Sequence, residues 1–163
     1  MNLKVCLDID DTIAVWFPEY IKLFGEPKND LTIQKNIHRK LKFNKDFWVN
    51  LPVLESLNFE PAIYCTKRVI KKAWTKQWLN ENGFPNKPVY QMVYQYGNKV
   101  SLIKGKCDVL IDDSTFNCYQ ALEVGFPAIL IKRPHNQHSD YPYQIDSLDI
   151  NQIIKVYNKI ICN

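Results

Sequence analysis

Four apolar runs of four or five residues restrict what this chain can fold into: LKVCL (3–7), AIYC (62–65), DVLI (108–111) and AILI (128–131). Each ends in polar or turn-forming residues, and a weaker fifth run, PVYQMV, covers 88–93. Continuous apolar runs of this length suit strands buried on both faces. Helical patterns lie between them. Arg68–Asn82 sets Ile70, Ala73, Trp74, Gln77 and Trp78 on one side and stops at Asn82-Gly83. Ser114–Glu123 opens with a serine cap, and Asp149–Ile161 repeats isoleucine and tyrosine at helical spacing. The alternation predicts βαβ units and a parallel sheet with helices on both faces. Residues 17–58 break this rhythm: they are Lys- and Asn-rich, with aromatics at irregular spacing. They predict a small helical insertion after the first strand, with helices near 18–25, 32–41 and 44–48.

The 163 residues suit one domain with one sizeable core. A formal charge of +4 favours anionic partners but falls short of the basic patch of a dedicated duplex binder. The five cysteines are odd in number and form no CxxC pair, which suits reduced thiols in a cytoplasmic protein. No stretch approaches the roughly 18 apolar residues of a membrane span. Asp8 and Asp10 interrupt the apolar N-terminus, so no signal peptide is expected there.

Ligands of parallel α/β sheets bind beyond the carboxyl ends of the strands. The first strand ends in Asp8-Ile9-Asp10-Asp11-Thr12, the second in Thr66-Lys67-Arg68, and the fourth in Asp112-Asp113-Ser114. Clustered carboxylates need a compensating cation, or some of them stay protonated. A hard divalent ion with oxygen ligands fits, and Mg²⁺ is the usual choice beside a phosphate. No His/Cys set is spaced for zinc. Taken singly, each acidic motif also reads as a helix cap; both together, with Thr66 and a lysine between, point to a metal site.

At these residues the sequence resembles the haloacid dehalogenase-like (HAD) superfamily. Its DxDx[TV] motif matches Asp8–Thr12, its Ser/Thr motif matches Thr66, and its acidic pair matches Asp112-Asp113. Its lone lysine could be Lys99, Lys104 or Lys106. Within that superfamily FWVNLPVLESL (47–57), AIYCTKR (62–68), NKVSLIKGKCDVLIDDS (98–114) and ILIKRPHN (129–136) are similar to the 5'(3')-deoxyribonucleotidases, which favours Lys99. Ser114 stands where those relatives often carry a basic residue, and Lys106-Cys107 looks like an insertion.

The resemblance implies a Rossmann-like HAD core with a small helical cap at about residues 15–51. It also implies a Mg²⁺-dependent phosphomonoesterase. Asp8 would attack phosphorus and form an aspartyl-phosphate, and Asp10 would serve as acid and then base. Thr66 and Lys99 would hold the phosphate. Asp8, Asp10 through its carbonyl, Asp113 and, in support, Asp112 would hold the metal. Trp16 would line a base pocket, with Phe17, Phe47 and Trp48 nearby, and Arg68 would contact a flanking phosphate. Asp11 is expected to be solvated or capping, Thr12 to orient the loop, and His135 to have no catalytic role. The expected substrate is a small phosphomonoester, a (deoxy)nucleoside monophosphate. The phosphatase part of polynucleotide kinase-phosphatase offers an alternative, acting on oligonucleotide 3' ends, and a phosphoacceptor module without turnover is a third reading. Base, sugar, phosphate position and oligomeric state are left open by the sequence.

Overall fold

A computed structural model describes residues 3–92 and 97–162. Six strands form one sheet: β1 (Val5–Leu7), β2 (Ile63–Thr66), β3 (Val89–Gln91), β4 (Val109–Asp112), β5 (Ala128–Ile131) and β6 (Gln144–Ile145). Their order is β3-β2-β1-β4-β5-β6, and every pairing is parallel. This is the α/β, Rossmann-like arrangement expected from the apolar runs. The fifth, weaker run supplies β3, although Val93 lies outside the described residues.

Period-two alternation explains why these strands read as continuous hydrophobic segments. Val5 and Leu7 join Tyr64, Ile111 and Ile129 in one core, while Cys6 joins Ile63, Cys65, Leu110 and Leu130 in the other. Cys6, Cys65, Cys107 and Cys118 are buried free thiols and Cys162 is an exposed one.

Between β1 and β2 run α1 (Phe17–Phe24), α2 (Asp30–Asn36), a π-helical turn (Ile37–Leu41) and α3 (Lys45–Val49). Asn29 and Asn44 cap α2 and α3 by accepting from the N–H groups of Thr32 and Phe47. Two indoles tie this insertion down. Trp48 donates to the Leu41 carbonyl at 2.8 Å, and Trp78 from the core reaches the Leu51 carbonyl at 2.7 Å.

The later helices are α4 (Lys72–Glu81), α5 (Val100–Ile103), α6 (Thr115–Glu123) and α7 (Ile150–Ile161). Ser114 caps α6 and Asp149 caps α7. Gly83, at φ 74°, closes α4 in the left-handed region that a side chain disfavours. The helix expected from Arg68 begins only at Lys72, because Arg68 turns into the core instead of starting a solvated face. α5 and β6, with four and two residues, are too short to leave a periodic signal. No described helix is long and apolar enough to cross a membrane.

β1 lies between β2 and β4. The chain leaves it towards one side first and returns on the other later, so a crevice opens at its carboxyl end.

Candidate active site

The topology brings the three sequence-predicted strand ends together. Asp8 follows β1 directly, and its N–H donates to the Ile111 carbonyl of β4 at 3.0 Å. Asp112 ends β4 and Asp113 follows it. Asp8, Asp112 and Asp113 are all buried, and each has a carboxylate oxygen within 4.8 Å of those of the other two.

One ammonium faces this cluster. Lys99 is buried immediately before α5, where its Nζ donates to Asp8 Oδ1 and, at 2.7 Å, to Asp112 Oδ2. Lys104 and Lys106 lie exposed, and Lys106 bonds the Leu102 carbonyl at 2.8 Å. Of the three lysines left open by the spacing, Lys99 is the one at the acids. Burial works against its charge, but Asp112 and Asp8 outweigh burial and hold the ammonium charged well above the ordinary lysine range. The Asp8 carboxyl is pushed well above its usual range, first by burial; Lys99 pulls it down, and Asp112 and Asp113 push it up. Three crowded carboxyl groups, of which Lys99 bonds two and His135 touches the third, leave an excess of acid over base at the strand ends. The three acids could hold a metal ion, and an all-carboxylate donor set suits a hard one.

Neighbouring groups orient the acids. The Thr12 hydroxyl lies 3.3 Å from Asp8 Oδ2 and 3.1 Å from Asp113 Oδ1, bridging β1 to β4. Asn117, in the first turn of α6, donates to Asp112 Oδ1 at 3.0 Å and accepts from Lys67 at 2.7 Å. His135 Nε2 sits 2.9 Å from Asp113 Oδ2; that contact raises the imidazole above its ordinary value, against an opposing effect of burial. Asn136 Nδ2 donates to the Asp113 carbonyl at 2.7 Å. His135, expected to have no role in catalysis, therefore touches an acid of the cluster. His135 and Asn136 belong to the ILIKRPHN segment noted for its resemblance, whereas Asn117 carries no motif in one sequence and is brought to the acids by the fold alone.

Asp10 is held separately. Arg68 grips it with Nε at 3.0 Å from both oxygens and Nη2 at 2.7 Å from Oδ1. The Thr66 hydroxyl adds a bond to Asp10 Oδ2 at 3.2 Å. Arg68 is only 2% exposed. Its guanidinium carbon lies 5.2 Å from the Trp48 ring centroid and 5.8 Å from that of Trp78. The expectation that Arg68 meets a flanking phosphate is corrected: the guanidinium is buried against Asp10 instead of opening on the crevice.

Trp16 stacks on Phe17 and Tyr20 at centroid distances of 6.0 and 5.6 Å, half-buried at the start of the insertion. Its indole nitrogen is buried without a hydrogen-bond partner among the described residues. Trp48 is buried in the core.

Asp11 caps, as expected, but is not solvated. It has φ 54°, and its oxygens accept from the N–H groups of Trp16 at 2.9 Å and Phe17 at 3.0 Å. Burial, with Asp113 adding to it, raises its carboxyl to about 7. Arg133, from the end of β5, braces this tight loop. It donates to the Asp11 carbonyl at 3.1 Å and the Thr12 carbonyl at 2.7 Å, and pairs with Glu55 at 2.7 Å. Arg133→Met removes these donors and leaves the carbonyls and Glu55 short of partners. The expected cost is about 2 kcal/mol, seen as a fall in Tm of roughly 4–8 °C in thermal denaturation.

No protein-family model matches the chain, and a search of the curated proteins finds no match.

Proposed function

We propose that this protein is a Mg²⁺-dependent phosphomonoesterase of the HAD kind that dephosphorylates (deoxy)nucleoside monophosphates through an aspartyl-phosphate on Asp8. The observation that carries the reading is the buried trio Asp8, Asp112 and Asp113, drawn from two adjacent strands, with Lys99 bonded to two of its members. Such an arrangement is costly without a cation, and a phosphoryl group beside the cation gives the cluster a purpose.

In this mechanism an Asp8 oxygen attacks phosphorus in line as the ester P–O bond breaks. The departing oxygen takes a proton from Asp10, leaving the phosphoryl group on Asp8. Water then attacks phosphorus, gives a proton to Asp10, and breaks the acyl-phosphate bond to regenerate Asp8 and release inorganic phosphate. Lys99 neutralises charge on the phosphoryl oxygens. Thr66 binds them as well, once its hydroxyl turns from Asp10. Asp8, Asp113, Asp112 and the Asp10 carbonyl are the groups to hold Mg²⁺, which when bound offsets the repulsion between carboxylate and phosphate. The aromatic start of the insertion, Trp16 and Phe17, offers a stacking surface for a base; such stacking contributes ~1–3 kcal/mol.

The test is inorganic phosphate release across mononucleotides, 3'-phosphorylated oligomers and sugar phosphates, with Mg²⁺ or with EDTA. Release from mononucleotides with Mg²⁺, abolished by chelation, is the expected result. Preference for oligomers with steep salt dependence would select the 3'-end reading instead. Thermal denaturation gives an independent readout. Mg²⁺ at a hundred times its Kd adds ~2.7 kcal/mol, a rise in Tm of roughly 5–11 °C. Asp113→Asn should lose most of that rise.

A further inference from the structure

Arg68 stands out because its placement serves a single group. Its Nε and Nη2 are committed to Asp10, and its Nη1 is buried with no hydrogen-bond partner among the described residues. A buried guanidinium that leaves one nitrogen unsatisfied gives up favourable hydrogen bonding at that nitrogen. What it gains is a two-point grip on one carboxylate, from between the Trp48 ring of the insertion and the Trp78 ring of α4. Forked guanidinium–carboxylate bonds fix direction as well as distance. Asp10 needs that control, because its side chain is the more open partner of the pair, 21% exposed against 0% for Arg68. Free rotation would carry it off the line to a departing oxygen.

We infer that Arg68 is a positioning residue that aims the Asp10 carboxyl at the oxygen leaving phosphorus, with Trp48 making that aim depend on the seating of the helical insertion. This rests on the phosphatase reading above. Arg68 touches neither substrate nor phosphorus; it acts through Asp10. The step it governs is proton delivery. As the P–O bond breaks, the bonding electrons go to the departing oxygen and are joined there by a proton from Asp10. Asp10 took that proton from water in the preceding turnover and carries it on Oδ2, the oxygen freed when the Thr66 hydroxyl turns to the phosphate. Its loss leaves Asp10 as the carboxylate that Arg68 grips.

The consequence is a dependence on the leaving group that a fold-stabilising ion pair would not create. An alkoxide needs a proton to depart, and a thiolate does not. Thymidine 5'-monophosphate is therefore compared with its analogue carrying sulfur at the bridging 5' position, using unaltered protein, Arg68→Met, Arg68→Lys and Asp10→Asn. The methionine keeps an apolar stem between the two indoles; the lysine keeps the charge without the fork, and covers the case in which the methionine variant fails to fold.

Arg68→Met is expected to lower kcat on the oxygen ester by ~10²-fold or more, the usual scale of general acid catalysis, and on the sulfur ester by less than tenfold, with KM little changed. Arg68→Lys should show the same direction more weakly. The double variant with Asp10→Asn should be no slower than Asp10→Asn alone, since both changes remove one function. Equal losses on the two esters, or additive losses in the double variant, overturn the inference while the phosphatase reading stands. If the unaltered protein releases phosphate from neither ester nor any member of the panel above, or Asp8→Asn cleaves them undiminished, the phosphatase reading falls and this inference falls with it.

Discussion

Asp8→Asn should abolish phosphate release while leaving the fold intact. The loss should reach ~10⁴-fold or more in kcat, the scale on which removing a covalent nucleophile acts. An amide oxygen is a poor nucleophile and cannot form the acyl-phosphate. The amide nevertheless keeps the size of the carboxylate: its oxygen can accept from Lys99, and its NH2 can donate to the Thr12 hydroxyl, which still donates to Asp113. It also removes one of three clustered negative charges. The metal-free variant should therefore melt no lower than the unaltered protein. Activity by phosphate release and stability by thermal denaturation are measured on the same preparation, so loss of chemistry is separated from loss of structure. Undiminished turnover would remove Asp8 from the mechanism.

The second large effect is on stability. Lys99→Met should cost about 3–5 kcal/mol, because it strips from Asp8 and Asp112 the buried ammonium that bonds both of them. The corresponding fall in Tm is roughly 6–20 °C. The double variant Lys99→Met/Asp112→Asn should recover a large part of that loss. Asp112 is completely buried and bonds Lys99 at 2.7 Å, so removing its charge together with that of Lys99 leaves no orphan between them. Equal stability in Lys99→Met and the unaltered protein would mean that the lysine is not the counter-charge its burial and contacts imply.

The fold was legible because the strands are buried on both faces. A strand covered on one side would have shown alternation; these showed unbroken apolar runs, and four of them became β1, β2, β4 and β5. The helix cap at Ser114 was equally plain, and the last helix showed in its isoleucine spacing, with Asp149 proving to be its cap. β6 escaped notice because two residues carry no period.

Within the site, Asp8, Asp112, Asp113, Thr66 and Lys99 could be singled out because each ends or follows a strand or belongs to an ordered motif. Asn117 could not, and the RPHN stretch was noted for its resemblance without a role for His135 at the acids. Asn117 is an ordinary first-turn residue of α6, and His135 reaches Asp113 only because β5 lies beside β4. Arg68 shows the deeper limit. Its basic neighbours Lys71, Lys72 and Lys76 are exposed, so a charged helix face was the natural reading of the run. Burial of one member depends on a carboxylate 58 residues earlier in the chain and on two indoles from different segments. No local pattern encodes such a convergence.

The brevity of β6 has a bearing on assembly. Its two residues, Gln144 and Ile145, form one rim of the sheet, with Pro142 two residues before them and Asp146 directly after. So short a rim presents few unpaired amides along which another chain could lie, and an imide ring and a carboxylate flank the approach. On that side the strand-by-strand growth that seeds fibrils finds almost no template.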